Sequence, residues 1–232
     1  MIKNTSSLHP SDMQNWAFAV RSRPTALLAI LLLATTALVS SGALFHLDEA
    51  AASAAQGAAG RSTAVDLAMH AITETGDIYY MFVFGAVLLI IRRTRRIGLA
   101  IMISLVIATI ATGYSKCAIE RERPGLEYMG ETLPLGIGAD TYSLFCEGGY
   151  AASFPSGHAA RAAVFGLVLG AALFPRLGAA SYLLLLYPAL VSASRVYVLQ
   201  HYPSDVLGGT LLGLLVAGLI AGRLGIGSVE GR

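Results

Sequence analysis

Long apolar stretches separated by short polar segments dominate this chain. A membrane-spanning helix needs about 20 mainly apolar residues to cross a bilayer at 1.5 Å per residue. The apolar stretches approach that length, so the pattern predicts an all-α fold, a six-transmembrane-helix bundle. The predicted spans cover about 25–45, 77–91, 97–114, 158–174, 178–193 and 206–221.

The polar segments predict a single membrane domain, 25–224, between two tails. Residues 1–24 and 225–232 are polar and show no periodic apolar face, which is typical of tails. The first apolar stretch ends in Ser40-Ser41-Gly42-Ala43, so a cleaved signal peptide is an alternative to a first span. Within the Ala-rich segment 46–75, the apolar positions between Val65 and Ile72 form an amphipathic pattern that predicts a short helix on the membrane surface.

Composition excludes an ordinary soluble domain, because 55% of the 232 residues are apolar and only 13% are charged. If six helices alternate in direction, most arginines fall on one face, and cationic loops mark the cytoplasmic side of a membrane. We therefore expect a multi-pass protein of the cytoplasmic membrane with both termini inside. The arginines on this face are Arg21, Arg23, Arg92, Arg93, Arg95, Arg96, Arg176 and Arg223.

Two further patterns bear on partners. The loop 92–96 holds four arginines, and so short a loop between spans indicates orientation rather than a nucleic-acid surface. We expect no nucleic-acid partner. The Gly-x-x-x-Gly pairs in the last span predict close packing within the bundle rather than a dimer face, and the oligomeric state stays open. Their glycines are Gly209, Gly213, Gly218 and Gly222.

A polar stretch at 194–205 lies between the last two predicted spans. Pro203 suits the first turn of a helix, which places Asp205 in the opening turn and within reach of His201. A carboxylate so placed can hold one imidazole nitrogen and leave the other as a base or nucleophile. Alone, this stretch is equally compatible with an interfacial loop whose charges face water.

Two more polar stretches, 116–124 and 155–158, emerge on the same face, opposite the arginine-rich loops. The three stretches can therefore converge on one site at the extracytoplasmic membrane surface. Fixed positive charges and backbone N–H groups at a helix N-terminus suit an anion, above all phosphate. The cations are Lys116, Arg123 and Arg195, and the N–H groups belong to Ser156 and Gly157.

Two histidines complete the predicted chemistry. His201, oriented by Asp205, can attack phosphorus, and His158 can protonate the departing oxygen. No carboxylate cluster or Cys/His set predicts a metal. We therefore expect no cofactor, and cationic side chains that stabilise the transition-state charge.

The three stretches carry the motifs Lys116-x6-Arg123-Pro124, Pro155-Ser156-Gly157-His158 and Ser194-Arg195-x5-His201-x3-Asp205. In order and spacing they resemble the three-part signature of the type 2 phosphatidic acid phosphatase superfamily, which includes integral-membrane lipid phosphate and diphosphate phosphatases. The resemblance covers about 97–221. It implies that His201 forms a phosphohistidine, Asp205 orients it, and His158 is the general acid that later helps to activate water. It also implies activity without a metal, and a phosphate clamp made of Lys116, Arg123, Arg195, Ser156 and Gly157.

Four other residues stand outside the implied roles. Arg121 lies within the first motif and is interpreted as local ion pairing or a rim charge. Arg161, one turn after His158, can pair with a buried carboxylate or support the phosphate clamp. Cys117 and Cys146 are both expected outside the cytoplasm, where a disulfide is a hypothesis.

The resulting hypothesis is a membrane phosphatase that hydrolyses a lipid phosphate or diphosphate through a phosphohistidine. We favour polyprenyl diphosphate, with phosphatidylglycerol phosphate, phosphatidic acid or a phosphorylated glycolipid as other substrates. A lipid phosphotransferase using the same site is one alternative. A non-catalytic lipid transporter or phosphate-binding membrane protein is another.

Overall fold

The computed structural model describes residues 20–125, 146 and 152–226, so most of the two predicted tails lies outside it. The described part of the chain is built from α-helices and one 3₁₀ segment. In chain order these are α1 (Arg23–Ser40), α2 (Phe45–Ala58), α3 (Thr63–Thr75), α4 (Ile78–Ile90), α5 (Arg95–Ile119), α6 (Gly157–Leu177), the 3₁₀ segment (Gly178–Leu185), α7 (Leu186–Tyr197) and α8 (Pro203–Arg223).

The first helix ends earlier than the apolar pattern predicts. α1 begins after Ser22, whose hydroxyl accepts a hydrogen bond from the Thr25 amide at 3.4 Å. It ends at Ser40, two residues before Gly42, whose φ is 74°. Glycine adopts this left-handed conformation without strain. The predicted residues 41–45 therefore form a turn and the start of α2.

The segment 46–75 holds two helices: α3 contains the predicted short helix, and α2 precedes it. α2 packs against α7 and α8, which explains why its Asp48 is only 3% exposed. α3 meets α4 at Gly76 with a bend of 53°. With 13 residues, α4 rises about 20 Å, short of a hydrocarbon core of about 30 Å. The second predicted span is therefore long enough only when α3 and α4 are taken as one bent span.

The turn between α4 and α5 is a close hairpin. A side chain at Gly98 would meet the backbone nitrogen of Leu89 at 2.3 Å, so only glycine fits there. α5 then runs to Ile119, five residues beyond the predicted end at 114, which places Lys116 in its last turn.

α6 lies at the centre of the bundle. The chain turns at Gly178, where φ is 54°, and the 3₁₀ segment and α7 return along α6. A Cβ on Gly166 would lie 3.0 Å from the Leu184 carbonyl oxygen and 3.0 Å from Pro188. Pro188 lies in the first turn of α7, where its missing N–H costs little.

α8 packs directly on α6. A Cβ on Gly209 would lie 2.2 Å from the Ser156 carbonyl oxygen, and one on Gly213 would lie 2.1 Å from that of Ala160. The prediction that these glycines mark close packing within the bundle is confirmed. The contact also places the N-terminus of α8, with Asp205, beside the N-terminus of α6.

Length and hydropathy identify four helical segments in the described residues that can cross a membrane, or five when α3 and α4 count as one. One is the 41-residue run Gly157–Tyr197, which folds back at Gly178. The all-α membrane bundle is confirmed, and the number of six crossings stays a prediction.

Candidate active site

The three polar stretches meet at one end of the bundle, where α5 and α7 end and α6 and α8 begin. The structure brings the predicted residues together there, on these helix ends and their connections. Electrostatic interactions link His158 with His201, Arg123 and Arg195. Several of these side chains are almost inaccessible: Lys116 is 2% exposed, Arg195 7%, His201 2% and Asp205 0%.

His201 lies in the short connection between α7 and α8. Its Nδ1 is 3.8 Å from Oδ2 of Asp205, which is too long for a direct hydrogen bond. The hydroxyl of Ser153 contacts both groups: Oγ lies 3.3 Å from Nδ1 and donates to Oδ2. Ser153 therefore bridges the predicted pair and leaves Nε2 as the other ring nitrogen. Ser153 was not among the predicted site residues, although it precedes the second motif by only two residues.

Asp205 is held from several sides at the N-terminus of α8. Its Oδ2 also accepts a hydrogen bond from the Tyr202 amide at 2.7 Å, and its Oδ1 accepts one from Arg121 Nη1 at 2.7 Å. Its backbone carbonyl accepts a bond from the Ser156 amide at 3.0 Å. The predicted position of Asp205 in the first turn after Pro203 is confirmed.

Arg121 bridges two carboxylates. Besides Asp205, its Nη2 contacts Asp48 of α2 at 2.7 Å, and its guanidinium lies 4.3 Å from the centre of the Tyr202 ring. Asp48 also accepts bonds from the Ser204 amide, at 3.1 Å, and hydroxyl. Arg121 was interpreted as local ion pairing, but its carboxylate partners lie far away in the sequence. Asp48 gave no signal there, because nothing in the pattern of 46–75 points to a buried acid.

The Tyr202 hydroxyl connects this network to a second acid of α2. It donates a hydrogen bond to Glu49 at 2.7 Å. Burial and this bond raise the pKa of Tyr202 to about 12, so the phenol stays protonated at neutral pH. The connection between α7 and α8 is thus fastened to α2.

Gln200, absent from the predicted set, orients two cations of the predicted clamp. Its Oε1 accepts hydrogen bonds from Arg123 Nη1 and, at 3.5 Å, from Arg195 Nη2. Nη1 of Arg195 donates to Thr73 of α3 at 3.2 Å. Two guanidinium groups from different parts of the chain are thereby held toward the same region.

The third cation, Lys116, donates to the carbonyl of Ala152. Burial, followed by the charges of Arg123, Arg195 and Lys116, lowers the pKa of His201 well below its usual value. His201 is therefore neutral at physiological pH, and a nucleophilic imidazole has to be neutral.

Ser156 and Gly157 begin α6, as predicted. The Ser156 hydroxyl caps the helix by accepting from the Ala159 amide at 3.4 Å. Its own amide is already bonded to Asp205. The N–H group of Ser156 is therefore occupied within the protein, and its contribution to anion binding would come from the hydroxyl.

His158, in the first turn of α6, has a neighbour on each side. Arg161 Nη2 lies 3.3 Å from His158 Nδ1, and Arg161 also donates to the carbonyl of Gly76 at 3.2 and 3.3 Å. A Cβ on Gly76 would lie 3.0 Å from His158 Cδ2. The bend between α3 and α4 thus fits against the His158 ring.

An apolar cavity of about 420 Å³ adjoins this bend. Phe165 and Leu169 line it, two and three turns after His158 on the same side of α6. Glu74 and Thr75, at the end of α3, form a polar edge. The cavity therefore lies beside the bend between α3 and α4, on the side of α6 that also carries His158.

Cys117 and Cys146 form a disulfide in the structure, with Cα atoms 5.9 Å apart. The bond ties residue 146 to the end of α5, next to Lys116. Within the described ranges, no group of three or more His, Cys, Asp or Glu side chains is arranged to hold a metal ion.

Known proteins resemble this chain in sequence and in fold. The profile of the PAP2 superfamily matches residues 97–223. An undecaprenyl-diphosphatase of Sulfolobus acidocaldarius is 33% identical over 152 residues, which are 61% of this chain and 62% of that protein. The chain thus matches less than two thirds of that relative's length.

A crystal structure gives the second similarity. It is described as the first transmembrane PAP2 type phosphatidylglycerolphosphate phosphatase from Bacillus subtilis, and the two chains superpose with a TM-score of 0.68 at 26% identity. The match covers 87% of this chain and 96% of the other. The similarity therefore extends over nearly the whole bundle.

Proposed function

This chain belongs to the PAP2 superfamily, and we propose from that premise that it is a membrane phosphatase acting on a lipid diphosphate through a phosphohistidine on His201. It is a multi-pass integral membrane protein. The main support is the environment of His201. There a nucleophilic imidazole lies next to cationic side chains that can bind a phosphate group.

The nucleophile is the neutral imidazole of His201. Its Nδ1 faces Ser153 and Asp205, so Nε2 carries the lone pair that attacks phosphorus. As the N–P bond forms, positive charge develops on the ring, and the Asp205 carboxylate stabilises it through Ser153. A carboxylate behind a catalytic histidine orients the ring and stabilises its positive charge, and here a hydroxyl lies between the two groups.

The cations Lys116, Arg123 and Arg195 neutralise the phosphoryl oxygens. All three act electrostatically on His201, which supports a phosphoryl position between them and Nε2. Buried, pre-oriented charges of this kind stabilise a phosphoryl transition state without having to reorganise during the reaction. The Ser156 hydroxyl and the start of α6 at Gly157 complete the anion site.

His158 faces the leaving oxygen in this proposal. In the first step it donates a proton or a hydrogen bond to the departing group, and in the second it orients the water that hydrolyses the phosphohistidine. The side of α6 that carries His158 continues into the apolar cavity lined by Phe165 and Leu169. A substrate with its phosphate at His201 can place part of an apolar tail there.

The tail-binding cavity favours a lipid over a soluble ester, and the relative from S. acidocaldarius, named an undecaprenyl-diphosphatase, favours a diphosphate. The B. subtilis protein, named a phosphatidylglycerolphosphate phosphatase, keeps lipid monophosphates among the candidates. The arginines at 92–96 support an orientation with both termini in the cytoplasm and the active site at the extracytoplasmic surface of the cytoplasmic membrane.

The test is phosphate release by the purified protein in detergent, with EDTA present. Wild type, His201→Ala and the matched control His46→Ala are compared on polyprenyl diphosphate, phosphatidylglycerol phosphate, phosphatidic acid and a soluble ester. His46 is exposed on α2 and takes no part in the site contacts described above, so its loss should change little.

We expect release by wild type and His46→Ala, fastest with polyprenyl diphosphate, and a loss of at least about 1000-fold in His201→Ala, as found for removal of a catalytic nucleophile. Phosphate trapped from labelled substrate should be acid-labile and absent from the His201 variant. Activity in His201→Ala close to wild type would overturn the mechanism. Phosphate transfer that requires a lipid or sugar acceptor would replace hydrolysis with phosphotransfer.

A further inference from the structure

Arg161 is a buried cation that the proposed mechanism does not use. It is 3% exposed, and its guanidinium is held by the Gly76 carbonyl and by Nδ1 of His158. No carboxylate forms an ion pair with it in the described ranges. A buried charge that contacts a proposed catalytic histidine calls for a functional explanation.

The contact determines where the proton of His158 lies. A guanidinium has only donors, so the 3.3 Å contact with Nδ1 requires Nδ1 to accept. The neutral ring then carries its proton on Nε2. A ring protonated on both nitrogens would turn an N–H toward the guanidinium and lose this hydrogen bond.

The bend at Gly76 packs closely against the His158 ring. The 3.0 Å approach of a Cβ at Gly76 to His158 Cδ2 shows how closely the bend packs on the ring, and a Cβ there would also lie 2.8 Å from Val191 Cγ1. The charged and titratable groups that act on His158 are Arg161 on its own helix, Arg195 on α7, and Arg123 and His201 in the connections. Three of these are permanent cations, so none of them favours a cationic ring.

We infer that Arg161 makes the site selective for lipid diphosphates over lipid monophosphates, by holding His158 as a neutral hydrogen-bond donor that is a poor source of a whole proton. The inference rests on the proposed function and assigns a substrate class to the same site. Arg161 acts through His158, so it is a positioning residue.

A diphosphate needs no proton for its first step. The lone pair of His201 Nε2 forms a bond to the terminal phosphorus, the bond from that phosphorus to the bridging oxygen breaks, and its electron pair stays on that oxygen. The leaving group is a lipid monophosphate dianion, which is stable near neutral pH because the second pKa of a phosphomonoester is about 6. A hydrogen bond from His158 Nε2–H is sufficient assistance.

A monophosphate differs in its leaving group. The same attack on a lipid monophosphate expels an alkoxide, whose basicity is comparable to that of hydroxide. The alkoxide must take a proton as the bond breaks, and only a doubly protonated His158 can supply it easily. Arg161 disfavours that state, so the first step is slow.

Both substrates share the second step, which balances without an external acid. Water attacks the phosphohistidine, the N–P bond breaks with its electron pair returning to His201 Nε2, and both protons of the water leave on dihydrogen phosphate. Selectivity therefore arises in the first step.

The experiment compares substrates with the same tail, farnesyl diphosphate and farnesyl monophosphate, in wild type, Arg161→Met, Arg161→Lys and the control Arg176→Met. Arg176 is exposed at the other end of α6. We expect the diphosphate-to-monophosphate ratio of kcat to fall at least tenfold in Arg161→Met, and to stay within threefold of wild type in Arg161→Lys, which keeps a donor. Loss of a phosphate-binding charge alone would appear in KM, and loss of structure alone would lower kcat for both substrates equally.

An unchanged kcat ratio in Arg161→Met overturns the inference. If that variant does not fold, the test uses the wild-type protein with three substrates that carry an apolar tail. Its kcat should decrease from farnesyl diphosphate to 4-nonylphenyl phosphate to farnesyl monophosphate, because the leaving group becomes more basic in that order. Equal kcat values for the three would overturn the inference while leaving the phosphatase intact. No release from any of them would instead overturn the proposed function, and the inference with it.

Discussion

Replacing Arg121 with Met should destabilise the bundle strongly, because it leaves two carboxylates without their shared cation. Arg121 contacts Asp48 and Asp205 at 2.7 Å each, and the side chains are 13%, 4% and 0% exposed, respectively. Removing one member of a buried ion pair costs about 3–5 kcal/mol. Since Arg121 keeps slight contact with solvent, we expect the lower end, about 3 kcal/mol.

The assay is equilibrium unfolding in mixed detergent and SDS micelles, followed by circular dichroism. Arg93→Met, in the exposed loop between α4 and α5, is the matched control and should change stability by less than about 0.5 kcal/mol. Adding Asp48→Asn to Arg121→Met removes one unpaired carboxylate, so the double variant should be more stable than the sum of the single effects by about 1–2 kcal/mol.

Two results would refute this reasoning about Arg121. One is a loss below about 1 kcal/mol in Arg121→Met, which is the range of an exposed pair. The other is an additive cycle with Asp48→Asn, which would mean that the two side chains do not share an interaction.

Three further predictions concern the site and its support. Ser153→Ala should lower kcat by about 10–100-fold with KM nearly unchanged, because the hydroxyl contacts His201 and Asp205 rather than substrate; a kcat equal to wild type would show that no bridge is needed. Because the pKa of His201 is lowered, its neutral form persists as the pH falls below about 6.5, the usual histidine pKa. The acidic limb of the kcat/KM profile should therefore lie below that pH, and a limb at or above it would contradict the assignment of His201 as the neutral nucleophile. Gly213→Ala should abolish folded protein, since its Cβ would lie 2.1 Å from a backbone oxygen. Gly57→Ala should be tolerated, because the nearest atom to its Cβ is the end of a flexible side chain at 3.7 Å. Size-exclusion chromatography in detergent compares the two variants, and a monodisperse Gly213→Ala protein would contradict the packing.

The membrane bundle and much of the site could be predicted from local patterns. Pro203 and Asp205 lie in the first turn of α8 because a helix N-terminus favours a proline without an N–H and an acidic side chain, and both preferences are local. Ser156 begins α6 for the same kind of reason. Helix ends were less predictable: α1 stops near Gly42 although the apolar pattern continues to 45, because a single left-handed residue outweighs hydropathy.

Contacts between distant segments could not be read from the pattern. Arg121 and Asp48 are 73 residues apart, and Arg161 and Gly76 are 85 apart. Nothing in hydropathy or spacing determines which helices become neighbours, or how deeply a charge lies between them. The interpretation of Arg121 as local ion pairing failed for this reason, and the packing of α2 against α7 and α8 was not predicted either.

The sequence by itself determined the apolar helices, the motifs at their ends and the chemical types of the candidate site, since these follow from the period of the chain and from preferences within a few residues. Tertiary structure alone decided that Ser153 separates His201 from Asp205, that α2 supplies one of the two acids paired with Arg121, and that Arg161 contacts the Gly76 carbonyl as well as His158. These contacts depend on ångström-scale distances between helices. Close glycine contacts, such as that of Gly213 with Ala160, set these distances, and they exist only once the bundle has packed.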